Sequence, residues 1–160
     1  MQETTGTRIV FAQENLSDIL NEYESVLEEH YPSLDWSDGK INHNVDHEKY
    51  GMVARAGHLG LFTARCDGKL VGYCSIIADN HIHHKDIVFA TTDSFYLRRS
   101  YRKGFTGVKF LNFIQEKLKE LGVDVFTIQS RTKEKTDKLL KRLGYTEVET
   151  VYAKILKENI

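Results

Sequence analysis

The chain has 160 residues, 41% hydrophobic and 28% charged, enough apolar material for one soluble domain with a packed core. A formal net charge of -1 leaves no global field to draw it to nucleic acid or an anionic membrane. No stretch approaches the roughly 20 apolar residues that cross a bilayer, and the polar residues 1–8 lack a signal-like apolar region, so a cytoplasmic protein is expected.

Residues 8–12 read as a short strand. Asn15 then acts as an N-cap, with Asp18 in the first turn, and Leu16, Ile19, Leu20, Tyr23, Val26 and Leu27 recur at helical spacing. Pro32, the only proline, is expected just past the end of this helix. Residues 33–44 are polar and read as a loop. Asp46 caps a second, shorter helix to about residue 56, with Tyr50 and Val53 facing inward.

A hairpin follows, with 59–66 and 70–78 on either side of Asp67-Gly68, a strong two-residue turn. That centring opposes Cys66 to Lys69 and Cys74 to Leu61, so the two cysteines are unpaired and expected to be reduced. Asp79-Asn80 bulges or turns the chain, and 86–97 is extended again. A long helix spans 105–121, with Val108, Phe110, Leu111, Ile114, Leu118 and Leu121 on its buried side and Gly122 as its stop. Residues 123–128 read as a compact strand, 133–143 as a last helix ended by Gly144, and 145–156 as a final extended segment or hairpin. The order β α α β β β α β α β indicates one mixed α/β domain over residues 1–160.

The strongest functional signal is the passage from the strand end Phe95-Tyr96-Leu97, through the basic turn Arg98-Arg99-Ser100-Tyr101-Arg102-Lys103-Gly104, into the long helix. It sets free backbone N–H groups and cationic side chains at a helix start, an arrangement that favours a phosphate. This stretch resembles the pyrophosphate signature of the Gcn5-related N-acetyltransferases: Arg or Gln, two residues, Gly, one residue, then Gly or Ala. Arg102 takes the first position and Gly107 the last, with the apolar pair Phe110-Leu111 following. Phe105 replaces the middle glycine, and Gly104 lies one residue earlier. Leu139-Leu140-Lys141-Arg142-Leu143-Gly144-Tyr145 resembles the family's helix end with its closing Gly-Phe. The stretch 81–102 is similar to small acetyltransferase-like proteins of bacteriophages.

The resemblance implies an acyl-CoA N-acyltransferase (GNAT) fold, with a mixed sheet of about six to seven strands flanked by about four helices. It implies acetyl-CoA as co-substrate and transfer of the acetyl group to a primary amine; the residue spacings give no reason to expect a metal. Phe95, Tyr96 and Leu97 would line the cofactor strand. Arg102, Lys103, Gly104, Phe105, Thr106, Gly107 and Val108 would hold the pyrophosphate, and Arg98 and Arg99 would reach the adenosine phosphate, with a solvated surface as their alternative. The strand 93–97 would splay from 123–128, admit the pantetheine arm, and offer a backbone N–H near Tyr96 or Leu97 to the thioester carbonyl.

A base is needed for the amine. Asp93 on the cofactor strand is one candidate, with capping of the sheet end as its alternative. His81 and His83 alternate and so share one face of an extended strand; their imidazoles titrate near neutral pH, and a structural histidine is the alternative. The family's usual tyrosine acid falls on Leu140, which leaves Tyr152, Tyr96 or water. Seven histidines occur, but no convergent zinc-type spacing. The acceptor amine stays open among small molecules, proteins and modified bases, and pairing of the final strands into a homodimer stays open too. A catalytically weak CoA-binding or interaction module is the alternative function, motivated by Phe105 and Leu140. Nucleic-acid binding through 98–103 and 133–141 is disfavoured by the neutral charge.

Overall fold

The computed structural model describes residues 8–131 and 136–157. In chain order they form β1 (Ile9–Gln13), α1 (Leu16–Leu34), α2 (His47–Arg55), β2 (Leu59–Cys66), β3 (Lys69–His81) and β4 (His84–Leu97). A short 3-10 turn (Arg99–Tyr101), α3 (Thr106–Glu120), β5 (Val125–Thr127) and α4 (Asp137–Arg142) complete them. Two compact units result. One is drawn from Met1–His30 and Val45–Gln129, the other from Tyr31–Asn44 and Ser130–Ile160.

The first unit holds the sheet, in the order β1-β2-β3-β4-β5. The pairs β1–β2, β2–β3 and β3–β4 are antiparallel and β4–β5 is parallel. Alternation along the strands makes two apolar faces. One carries Phe62, Ala64, Cys66, Cys74, Ile76 and Ala90 and buries them against Phe110, Ile114 and Leu118 of α3. The other packs Leu61, Tyr73 and Tyr96 against Ile19, Tyr23, Val26 and Leu27 of α1. The two-residue turn forms as the sequence predicts, with Asp67 at φ 49° and Gly68 at φ 80°.

Several expectations need correction. The sheet has five strands among the described residues, not six or seven. The described part of 145–156 forms no strand: its backbone has no ladder partner, and Val148, Val151 and Leu156 stay 78%, 80% and 86% exposed. Pro32 lies inside α1, not after it; it removes one N–H donor, and the chain closes a further turn with Asp35 N–H donating to Tyr31 O at 3.2 Å. Cys74 faces Phe62 instead of Leu61, because a bulge between Ala64 and Arg65 shifts the hairpin register by one residue. Asp79 and Asn80 do not turn the chain but stay within β3, where the register shifts between Asn80 and His81 as the bulge alternative expects, and the chain reverses at Ile82-His83, between the paired His81 and His84. Both cysteines are buried and free, as expected.

Candidate active site

A second bulge builds the site. Ser75 pairs with Ser94 and Ile76 with Thr92, so Asp93 is the extra residue on β4. A bulge puts two consecutive residues on one side of the strand. Before it, the even-numbered Ala90 faces α3; after it, the odd-numbered Phe95 and Leu97 do. Asp93 and Ser94 therefore both sit on the α1/α2 face.

There the carboxylate meets α2. Asp46 caps that helix, its carboxylate accepting from Lys49 N–H at 2.8 Å, and Tyr50 falls one turn further on. Tyr50 donates its hydroxyl to Asp93 Oδ2. Ser75 Oγ donates to the same oxygen at 3.0 Å and Ser94 Oγ at 3.4 Å. Among the described residues Asp93 Oδ1 receives no hydrogen bond. One oxygen is thus saturated and the other left free to accept a proton. Burial, then the bond to Asp93, pushes the Tyr50 phenol well above its ordinary range, so Tyr50 remains a donor.

Beneath this lies a buried polar network. His30, 2% exposed, has Nδ1 2.7 Å from the Tyr73 hydroxyl and stacks on Tyr96 at 4.4 Å between centroids. Burial also raises the phenols of Tyr23 and Tyr73. Tyr96 donates to Glu29 Oε1 at 2.8 Å, and burial followed by that bond pushes it up to about 12. Its hydroxyl is committed to Glu29, so Tyr96 is not a free acid. Arg98 is likewise committed, with Nη1 2.9 Å from Glu29 Oε2 and Nη2 3.2 Å from Ser25 Oγ, where the sequence reading had it reach a phosphate.

The parallel ladder between β4 and β5 spans only Phe89–Thr91 on β4. Gln129 N–H donates to Thr92 Oγ1 at 3.1 Å, and from Asp93 to Leu97 the strand has β3 as its only ladder partner among the described residues. The ladder thus ends before the stretch 93–97, where the resemblance implies a splay. Phe95 and Leu97 turn their side chains into the α3-side core, Phe95 lying 5.6 Å from Phe110 between ring centroids, so only their backbones face the open edge.

The basic turn follows at once. Arg102 Nε donates to Leu97 O at 2.6 Å, and its guanidinium lies 5.1 Å from the Tyr96 ring centroid, which ties the turn to the strand end. Gly104 adopts φ 63° and lets the chain enter α3, which starts at Thr106 with Phe105 as N-cap. Thr106 Oγ1 donates to Lys103 O at 3.2 Å. Among the described residues, no protein acceptor receives the N–H groups of Lys103, Gly104, Phe105, Thr106, Gly107 and Val108. A Cβ placed on Gly107 would meet nothing within 4 Å. These unsatisfied donors fit a diphosphate. Phe105, at the missing-glycine position, projects outward with 74% exposure.

The histidines separate from the sequence expectation. His81 ends β3, while His83 lies in the turn, so the two do not share a strand face. His83 N–H donates to His81 Nδ1 at 3.2 Å, and His81 stacks on His84 at 5.1 Å and lies 4.5 Å from Phe89. A groove of about 420 Å³ is lined by His81 and Asp93 together, with Asp79, Phe89, Thr91 and Gln129 among its other walls. His83 does not line it. Tyr152, in the second unit, is 90% exposed. Among the described residues no group of three metal-ligating side chains converges, and no helix is long and apolar enough to cross a membrane. The sequence reading missed Ser75 and the His30–Tyr73 pair. Helical spacing turns Tyr50 inward but does not name its partner.

A bulged strand carrying a carboxylate, a half-unpaired edge and an amide-rich turn define an acyl-CoA-dependent transferase class. The acetyltransferase (GNAT) family matches residues 14–145, and the chain belongs to it; its class is that of acetyl-CoA-dependent N-acetyltransferases. No curated protein matches the chain. Among solved structures, an aminoglycoside acetyltransferase from an uncultured soil metagenomic sample superposes with a TM-score of 0.70 at 14% identity, covering 98% of this chain and 100% of that one. A ribosomal-protein-alanine N-acetyltransferase from Brucella melitensis biovar Abortus 2308 gives 0.70 at 16%, covering 92% and 99%. The aminoglycoside N-acetyltransferase AAC(6')-Iy in complex with CoA gives 0.69 at 17%, covering 96% and 98%. At such identities the likeness is one of fold.

Proposed function

We propose that this protein moves an acetyl group from acetyl-CoA to a primary amine by direct attack in a ternary complex, residues 1–160 acting as one domain. The observation that carries this reading is the unpaired β4 edge, flanked by the free Oδ1 of Asp93 and the unsatisfied amides after Arg102. Acetyl-CoA, when bound, supplies the activated thioester.

The chain's own residues supply the rest. The N–H groups of residues 103–108 bind the diphosphate, with Lys103 and Arg102 adding charge. A backbone N–H near Tyr96 or Leu97 donates to the thioester carbonyl. Asp93 Oδ1 takes a proton from the acceptor ammonium, directly or through one water, while Tyr50, Ser75 and Ser94 hold Oδ2 in place. His81 borders the same groove and serves acceptor contact. Tyr152 keeps its candidacy as the acid, Leu140 having no ionisable group. The similar structures include an aminoglycoside acetyltransferase and a ribosomal-protein-alanine N-acetyltransferase, which supports an amine acceptor. Two free buried cysteines suit a reducing cytoplasmic setting. The exposed apolar residues of 145–156 would pair in a homodimer.

Calorimetry with CoA, followed by mass-spectrometric turnover across an amine panel, tests the reading. Binding and turnover are expected; a folded protein that binds no CoA removes it. Exposed Phe105 and the missing tyrosine at Leu140 favour a second reading, a CoA-binding module with little turnover. Binding without acetylation of any amine would select it.

A further inference from the structure

We propose that the acceptor is a linear di- or oligoamine, its reacting nitrogen at Asp93 and a second ammonium held by Asp79. The inference rests on the acetyl-transfer reading above and names the substrate class of that site.

Register places the groove's residues. Ile77 pairs with Thr91 and Asp79 with Phe89, so these four side chains share one face of the β3–β4 hairpin, and His81 continues the same alternation. Asp93 continues the odd-numbered alternation of Phe89 and Thr91 and lies on that face as well. The groove of about 420 Å³ thus runs from the end of the β4–β5 pairing, at Thr92 and Gln129, along the hairpin to His81 and Ile82.

Its charge has one sign. Among the described residues Asp93 and Asp79 line it, no Lys or Arg does, and His81 is the one basic lining side chain. From the α2–β2 connection, His58 Nδ1 approaches Asp79 Oδ2 at 3.8 Å, and Asn80 N–H donates to Asp79 Oδ1 at 2.7 Å. Asp93 keeps Oδ1 free. Such a surface attracts cationic acceptors and repels anionic ones.

Spacing selects the shape. Phe89, opposite Asp79, lies four residues before Asp93 on β4, or about 13 Å at ~3.3 Å per residue, somewhat less across the bulge. A monoamine cannot engage both carboxylates. A flexible chain can, laying its methylenes over Ile77 and Thr91 and passing a cation across the Phe89 ring.

Steady-state kinetics of the full chain with acetyl-CoA test this, comparing α,ω-diaminoalkanes of rising length with monoaminoalkanes of equal length. Diamines should show a kcat/KM optimum at intermediate length and exceed the matched monoamine there. Asp79→Asn should remove that advantage by raising the diamine KM severalfold more than the KM of the matched monoamine, up to about fivefold for an exposed pair. Equal use of the two series, or a diamine KM indifferent to Asp79→Asn, overturns the assignment and leaves amine acetylation standing. Absence of turnover with every amine overturns both.

Discussion

Tyr50 on α2 donates its hydroxyl to Asp93 Oδ2 on β4 and joins two residues 43 positions apart in the chain. With Ser75 and Ser94 on the same oxygen, the bond holds by Oδ2 a carboxylate that lines the groove, and among the described residues Oδ1 receives no hydrogen bond. The site is therefore a product of pairing between helix and bulge, and it yields the first prediction.

Asp93→Asn should lower kcat by about 10²- to 10⁴-fold, the usual contribution of a positioned base, while CoA affinity by calorimetry is unchanged. Tyr50→Phe removes one donor without moving the ring. It should cost about tenfold in kcat, the worth of one hydrogen bond to a charged group, with the KM for acetyl-CoA unaltered. A kcat in Asp93→Asn equal to wild type would leave the proton to another group.

Arg102→Glu should weaken CoA binding at least about tenfold. It sets a carboxylate beside the unsatisfied amides and removes the Nε bond to Leu97 O. Thermal stability should change little, because Arg102 is exposed. Unchanged calorimetric affinity would move the diphosphate away from this turn.

Gly72→Ala should destabilise the fold by about 1–3 kcal/mol, as overpacking does. An added Cβ would lie 2.8 Å from both Leu97 Cδ1 and Tyr96 O, where β3 closes against the end of β4. Urea denaturation reads the stability. CoA affinity should fall alongside it, since the same contact holds the open edge in place.

Glu22 gives a pH dependence. Its hydrogen bonds from Arg65 and from Leu70 N–H hold its carboxyl below the ordinary 4.5. A depressed carboxylate contributes stability above the unfolded value and loses it as pH falls through the folded one. Glu22→Gln should therefore be less stable than wild type at neutral pH, by at most about 1 kcal/mol for this partly exposed pair. The difference should vanish well below pH 4.5, and denaturation curves at the two pH values check it.

Much of the architecture could be read from the chain. Helical spacing from Leu16 to Leu27, the Asp46 cap, the Asp67-Gly68 turn and the apolar stripe of α3 are local patterns, each set by residues within a few positions of one another. The glycine-bearing basic turn before α3 was legible for the same reason, and its free amides follow from helix geometry alone.

The remainder came from contacts that no local pattern encodes. The bulge at Asp93 exists because β3 and β4 pair with one residue to spare, and alternation along β4 carries no mark of it. His81 and His83 looked like neighbours on a face until the hairpin closed between them. The segment 145–156 had a strand's composition, yet a strand needs a ladder partner, and among the described residues it has none. By itself the sequence determined the family, the order of the elements as far as the last helix, and the glycine-bearing basic turn. Only the tertiary structure decided which side chains hold Asp93 and which way it faces, because strand register and helix docking are long-range balances of burial and hydrogen bonding.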